Sequence, residues 1–372
     1  MKKKLLIVGG FPTQNNTVFG GVVTDCKVLS QSILRDNFEM YTLDSTQKSN
    51  PPPIALTRLF LSIKKNILFA KILFFSRPHI VMLFVSPGLS LLEKGFMSLL
   101  ARVASASVFL YPVGGAIVLQ YDKSLFNKLI ITFCFKSSSF ILCQGEFWYI
   151  FCKKRLHISD SGLAIIDNWI ADEQKLNYGL TKNLTKNDSQ FKILFMGWLE
   201  KTKGIFDLLE SLKYLVEHFD VLLMVCGSGS ENDAAQKYVQ DNGLDKYVKF
   251  YGWVSGDAKI EVLNRADLFV LPSWSEGLPN SIIEAMCFKI PVISCNVGSI
   301  PDHFENYRDI IFNAPKDVSA LSKSIEQLIL NEKLRVQIAI NGYNLVKDKF
   351  SSEKSIKKLS AIFQKATNDI IA

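Results

Sequence analysis

Ser273-Trp-Ser-Glu-Gly-Leu-Pro-Asn-Ser-Ile-Ile-Glu-Ala-Met-Cys287 places two acids on either side of a helix start, Glu276 before it and Glu284 inside it. The preceding run, Asp267-Leu-Phe-Val-Leu-Pro272, reads as a buried strand. Pro279-Asn280-Ser281 reads as a helix opening, with Asn280 or Ser281 supplying the N-cap oxygen. A second apolar strand, Ile290-Pro-Val-Ile-Ser294, follows. Strand, short helix and strand in so few residues make a βαβ unit, whose parallel strands are buried and whose crossover is right-handed. Ligands of such sheets collect beyond the strand C-termini, where Glu276 and Gly277 fall. Glu284, one turn into the helix, can face the same crevice.

The alternation extends in both directions. Upstream lie Lys192-Ile-Leu-Phe-Met-Gly197, Val221-Leu-Leu-Met-Val-Cys-Gly227 and Val248-Lys-Phe-Tyr-Gly252, each followed by a helical pattern, and helices close the chain after Pro315. The first half has the same rhythm, from Lys4-Leu-Leu-Ile-Val-Gly-Gly10 through Ile80–Val85, Ser107–Tyr111, Phe140–Cys143 and Leu163–Ile166. Thr181–Gln190 is polar and aperiodic, the best linker candidate. The expectation is an α/β chain with an N-terminal domain over 1–180, a linker over 181–190, a second domain over 191–347, and a helix over 348–372 packing back toward the first domain.

Composition narrows the class. The chain has 372 residues, 48% of them hydrophobic, enough for two cores. Its seven cysteines are scattered, with no CxxC pair, and read as free thiols of a reducing compartment rather than disulfides or a zinc site. The basic start meets Gly9-Gly10 too soon for a signal peptide, and no apolar run reaches membrane-spanning length. A cytoplasmic location follows as the expectation. Residues 1–180 carry 20 Lys and Arg against 11 Asp and Glu, while the remainder carries 23 against 24. The basic half favours an anionic partner. Thr57–Arg77 interleaves Leu59, Phe60, Ile63 and Ile67 with Arg58, Lys64, Lys65 and Lys71, which suits a helix lying peripherally on an anionic membrane, or one covering the N-terminal sheet, or both. No feature points to nucleic acid.

Several signatures are absent. Gly227-Ser-Gly229 follows a strand, but Asn232 occupies the third glycine position of a dinucleotide fingerprint. There is no Asp-x-Asp for a divalent metal, no Gly-x-Ser-x-Gly elbow and no Gly-Lys-Ser/Thr loop. Gly20-Gly21 opens a helix, so its backbone amides can approach a phosphate.

Taken together, Glu276-x7-Glu284, Gly197-x5-Lys203-Gly204, Tyr251-Gly-Trp-Val254 and Gly298-Ser-Ile-Pro-Asp302 resemble the retaining glycosyltransferases of family 4. The resemblance covers 191–302 and implies the GT-B architecture: two facing Rossmann-like domains with parallel sheets and an interdomain cleft. It implies a hexosyltransferase or N-acetylhexosaminyltransferase that uses a UDP-sugar or GDP-sugar donor without cofactor or metal. The acceptor would be a glycan or polyprenyl-linked saccharide of bacterial surface polysaccharide synthesis. Lys203 would meet the diphosphate, with the Gly20 and Gly21 backbone closing on it, and Gly197 would border the donor. Glu284 would accept the ribose hydroxyls, the base would stack near Trp253 and Val254, and Glu276 with the Gly277 and Leu278 backbone would hold sugar hydroxyls. Lys203 and Glu276 are the catalytic candidates, the leaving diphosphate taking the acceptor's proton. Thr181–Gln190 and the final helix are hinge candidates for closure.

Two positions depart from the family. Trp198 stands where an arginine is usual, with Lys201 the nearest spare cation, and Pro112-Val-Gly-Gly115 stands where a histidine is usual. Gly114 and Gly115 are expected to give a backbone contact to the sugar instead. His303 is expected to be a loop residue beside the donor pocket. An inactive nucleotide-sugar-binding scaffold and a nucleotide-sugar epimerase are the alternatives.

Overall fold

The structure, a computed structural model, describes residues 2–12, 20–46, 54–184 and 190–368. The chain divides into two units, residues 1–169 with 352–372, and residues 170–351. Each is built on one six-stranded sheet in which every pairing is parallel.

The first sheet contains β1 (Lys3–Gly9), β2 (Phe38–Asp44), β3 (Ile80–Val85), β4 (Ser107–Pro112), β5 (Phe140–Cys143) and β6 (Leu163–Ile165), in the order β2-β1-β3-β4-β5-β6. Its helices are α1 (Gly21–Ser30), α2 (Leu34–Asn37), α3 (Ala55–Ser76), α4 (Leu89–Val103), α5 (Ala116–Tyr121), α6 (Leu125–Lys136) and α7 (Glu146–Ile150). Side chains alternate across a strand, so its apolar run feeds two cores. Leu6, Val8, Val81 and Leu83 pack with Phe69 and Leu73 of α3, Met97 of α4 and Phe135 of α6. Leu5, Ile7, Ile80 and Met82 pack with Cys26 and Leu29 of α1 on the opposite face.

The second sheet contains β7 (Phe191–Met196), β8 (Val221–Cys226), β9 (Val248–Gly252), β10 (Leu268–Leu271), β11 (Val292–Cys295) and β12 (Ile311–Asn313), in the order β12-β11-β10-β7-β8-β9. Its helices are α8 (Glu173–Thr181), α9 (Ile205–Leu215), α10 (Asn232–Asp241), α11 (Gly256–Arg265), α12 (Asn280–Cys287), α13 (Val318–Leu330) and α14 (Glu332–Lys349). The winding reverses between β7 and β10. That makes the C-terminal ends of those two strands the topological switch point, where ligands of doubly wound sheets bind.

The boundary between units lies earlier than the expected linker. Helix α8 belongs to the second unit because Tyr178 stacks on Phe288 at 5.3 Å and Gly179 lies against the Cys287 carbonyl, where a Cβ would come within 2.1 Å. Lys182 then donates to the carbonyls of Leu263 and Ala266 at 3.1 and 2.7 Å. Of the expected linker, residues 185–189 lie outside the described residues.

The last helix, α15 (Ser352–Asn368), returns to the first unit. Its Ile356, Leu359 and Phe363 join the same core face as α1, and Phe363 meets Phe109 edge-on at 4.8 Å and Phe38 at 6.1 Å. A fully buried phenylalanine truncated to alanine costs about 3–5 kcal/mol. Phe363→Ala is therefore expected to lower the unfolding free energy by that amount in chemical denaturation, and a loss under about 1 kcal/mol would show that α15 is only loosely attached.

Candidate active site at the switch point of the second sheet

Leaving β7, the chain passes Gly197 and Trp198 and makes one 3-10 turn over Lys201–Lys203 before α9 begins. Gly204 separates the turn from α9 in a left-handed conformation, φ 71° and ψ 25°, and a Cβ there would fall 2.1 Å from the Pro272 carbonyl oxygen. Only glycine allows that approach without strain. The two loops are pinned further by Trp274, whose backbone N–H donates to the Thr202 carbonyl at 2.8 Å and whose indole N–H donates to Asp207 Oδ2 at 2.6 Å. Lys316 Nζ lies 4.4 Å above the Trp274 ring, completing the brace with a cation–π contact.

This bracing puts Lys203 Nζ 2.6 Å from Glu276 Oε1. Glu276 is 5% exposed and Lys203 keeps one edge in solvent. On the other side of the carboxylate, Gly298 (φ 59°) rests against the Glu276 carbonyl, where a Cβ would approach to 2.0 Å, and Ser299 N–H donates to the Gly277 carbonyl at 2.9 Å. Glu276 is thus held through its side chain by the loop before α9, and the Glu276-Gly277 backbone by the loop after β11. Leu278 is buried in the core of the second unit.

The second acid forms a matching pair. Glu284, buried in the first turns of α12, accepts from Lys259 Nζ at 2.6 Å, and Lys259 stands one turn into α11. Lys259 was not among the residues singled out from the sequence; the signal was a lysine just beyond Tyr251–Val254 at the start of the next helix. No side chain caps α12, whose N-cap is Pro279 rather than Asn280 or Ser281, because Pro279 holds the extended conformation that precedes the helix.

Trp198 and Trp253, both half-buried, lie with ring centroids 4.9 Å apart and planes at 42°. Val254 packs on the core beside them. The position usually held by an arginine therefore carries one wall of an aromatic pair. The Gly227-Ser-Gly229 loop stitches this region together, Gly197 N–H donating to Cys226 O at 3.0 Å and Leu199 N–H to Ser228 O at 2.9 Å. Lys201 is exposed and points to no described carboxylate.

The thiol of Cys295, which senses Glu276, is pushed up to about 12 by burial and then by the charges of Asp207 and Glu276, so it is protonated and not a nucleophile at neutral pH. His303 lies in the turn after β11, as expected of a loop residue, and its ring is buried against Phe350, centroids 5.3 Å apart, where it packs like an aromatic residue. Gly20 (φ 140°) caps the start of α1 and Gly114 (φ 84°) with Gly115 precedes α5, all at the C-terminal edge of the first sheet. Among the described residues, no atom lies within 4 Å of where a Cβ on Gly114 would stand.

Two all-parallel doubly wound sheets, the second bearing paired lysines and glutamates at its switch point, define the GT-B glycosyltransferase architecture. Residues 180–345 match the sequence model of the family described as glycosyl transferases group 1. The capsular polysaccharide biosynthesis glycosyltransferase CapM of Staphylococcus aureus is 31% identical over 197 residues, 52% of this chain and 50% of that protein, so the chain spans about half the length of this relative. The UDP-Gal:alpha-D-GlcNAc-diphosphoundecaprenol alpha-1,3-galactosyltransferase of Escherichia coli is 27% identical over 66% of this chain and 68% of its own. Among solved structures, Anabaena Alr3699/HepE in complex with UDP and glucose superposes with a TM-score of 0.71 at 14% identity, covering 97% of this chain and 99% of that one, a likeness of fold.

Removing one partner of a buried charged hydrogen bond costs about 1–3 kcal/mol, because the other is left unsatisfied. Lys259→Met is expected to destabilise the protein by that amount, and the double variant Lys259→Met with Glu284→Gln to recover part of it. A thermodynamic cycle from denaturant unfolding with no coupling between the two positions would mean the pair does not form in solution.

Proposed function

We propose that the chain transfers a sugar from a nucleoside-diphosphate sugar to a glycan or lipid-linked saccharide, with retention of anomeric configuration and without a metal ion, in the assembly of a bacterial surface polysaccharide. The observation that carries this reading is the pair of lysine–carboxylate contacts, Lys203–Glu276 and Lys259–Glu284, within the family's matched stretch. The relatives' names add a capsular polysaccharide role and a diphosphoundecaprenol-linked acceptor, and the Anabaena structure adds UDP as a bound nucleotide.

Each residue has a role its chemistry suits. Lys203 offers a point charge to the diphosphate, competing with Glu276 for the same amine. Its ammonium offsets the charge that develops on the leaving diphosphate, whose oxygen takes the acceptor's proton. Glu276, released from Lys203, accepts from sugar hydroxyls together with the Gly277 and Leu278 backbone. Glu284 accepts from the ribose diol, with Lys259 orienting its carboxylate. Trp253, Val254 and Trp198 give the base a surface to stack on. Gly114 and Gly115 present bare backbone to the sugar, in the place of the family's histidine. The protein works in the cytoplasm at the inner face of the membrane, where the exposed side of α3, with Phe60, Ile63 and Ile67 beside Lys64 and Arg58, meets anionic lipid.

Trp198 in place of an arginine supports a second reading, a chain that binds the nucleotide sugar without turning it over. Donor hydrolysis separates the two, since slow release of free sugar and nucleoside diphosphate requires an active site.

Binding to the folded state raises apparent stability by mass action, about 2.7 kcal/mol at a hundredfold excess over Kd. UDP or GDP is expected to raise the melting temperature of the unaltered protein. Glu284→Ala should abolish that shift, whereas Glu276→Ala should keep it while lowering transfer roughly a hundredfold, the scale of losing one electrostatic contact in a transition state. Equal loss of nucleotide affinity in both variants would sink the division of roles. Chelation with EDTA is expected to leave turnover unchanged, and its abolition would overturn the metal-free reading.

A further inference from the structure

The first unit carries far more apolar surface than its fold needs. Of 23 large hydrophobic residues exposed among the described residues, 19 belong to this unit and four, Leu180, Tyr214, Tyr307 and Leu330, to the other. The 19 are concentrated on three helices. On α3 they include Phe60, Ile63 and Phe74, on α4 Phe96, Leu99 and Val103, and on α6 Leu125, Phe126 and Leu129. These helices pack side by side, α3 against α4 and α4 against α6, and all cover the same face of the first sheet. Their outward sides therefore form one continuous layer. Val103 is 79% exposed and Phe126 68%, so these are not residues half-covered by neighbours. An apolar layer on this scale marks an interaction surface.

Charge identifies the occupant. Across α3, α4 and α6 there is a single acidic residue, Glu93, whose side chain is 10% exposed and pairs with the buried Lys94 at 2.5 Å. The same helices carry Arg58, Lys64, Lys71, Arg102, Lys128 and Lys136. A second copy of the chain would bring cations against cations, because a two-fold contact joins identical patches. An anionic bilayer accepts both components, the cations at its headgroups and the aromatic and aliphatic side chains below them. No helix among the described residues is long and apolar enough to cross a membrane, so the layer would lie in the interface.

The geometry points to a lipid-binding face built jointly by α3, α4 and α6, which holds the first unit on an anionic membrane by inserting apolar side chains from all three helices. This rests on the membrane reading of α3 given above and extends it to two helices whose sequences carry few charges. Insertion also sets this face apart from simple charge attraction, because binding by buried apolar surface survives salt that screens surface charge.

Flotation of the full chain with phosphatidylglycerol-rich vesicles and with pure phosphatidylcholine vesicles, at low and high salt, tests it. Two variants leave the donor-site residues untouched: Leu99→Gln with Val103→Gln on α4, and Phe126→Gln with Leu129→Gln on α6. Each pair should lower partition onto phosphatidylglycerol vesicles about tenfold, with unchanged melting temperature, because these side chains face solvent in the unbound protein. Vesicle binding of the parent should persist in part at high salt. Unchanged flotation of both variants would overturn the proposal and confine any contact to α3. An oligomer that these substitutions dissociate, with no vesicle binding by the parent, would overturn it in favour of a second copy on this face. Thermal shift with UDP and GDP on the same samples separates the two readings: vesicle binding without a nucleotide response sinks the glycosyltransferase reading and leaves the lipid face standing.

Discussion

The candidate site depends on one backbone contact, Gly204 against the carbonyl of Pro272. The second sheet reverses its winding between β7 and β10, so right-handed crossovers send the helices that follow, α9 and α12, to opposite faces. Loops leaving such a pair of strands part from each other, and sheet hydrogen bonds no longer hold them. Gly204 in its left-handed conformation closes the gap from one side, and the Trp274 amide bonded to the Thr202 carbonyl keeps it closed. Without that approach Lys203 would stand in solvent as an ordinary loop lysine. With it, the amine is delivered to Glu276.

Four charged groups then stand as two neutral pairs, and this shapes what the site can accept. A buried carboxylate with no cation beside it carries a large desolvation penalty. Lys203 and Lys259 remove that penalty for Glu276 and Glu284, and each lysine retains an exposed edge. An incoming anion can therefore share the amine from the solvent side while the carboxylate turns to neutral hydroxyl donors. A diphosphate attached to a polyol fits that exchange, because it supplies the anion and the hydroxyls in one molecule. A simple anion satisfies only half of it.

What the sequence made legible follows the range of the interactions. The βαβ unit around Glu276 and Glu284 was readable because β10, α12 and β11 are consecutive, and their apolar runs and turn residues are local signals. Lys203 was readable as a motif residue, but its partner is 73 positions away and depends on β7 lying beside β10, which periodicity does not encode. Lys259 was invisible for a related reason: it looks like a solvated lysine on an amphipathic helix until α11 is placed beside α12. His303 does sit in a turn, but the burial of its ring against Phe304 and Phe350 depends on a residue 47 positions later and was not legible. The early start of the second unit was hidden because α8 is short and its burial comes from Phe288, Cys287 and Tyr343, all more than a hundred positions later.

The helices on the first sheet add a constraint that the sheet itself does not impose. A helix covering one face of a sheet needs a single apolar stripe, and polar residues on its outer side are the ordinary outcome in water. Helix α3 supplies that stripe with Phe69 and Leu73, yet Phe60, Ile63 and Phe74 lie on its outer side. In α6, Ile131 and Phe135 face the sheet while Phe126 and Leu129 face out. These helices have two apolar sides and only one sheet to cover, so folding of the unit alone leaves part of their hydrophobic surface without a partner. The second unit, built on the same plan, has no such excess among its described residues. Fold and core packing therefore do not account for it. Among the described residues, the Lys203–Glu276 and Lys259–Glu284 pairs stand at the switch point of the second sheet, while most of the exposed large apolar side chains lie on the helices of the first.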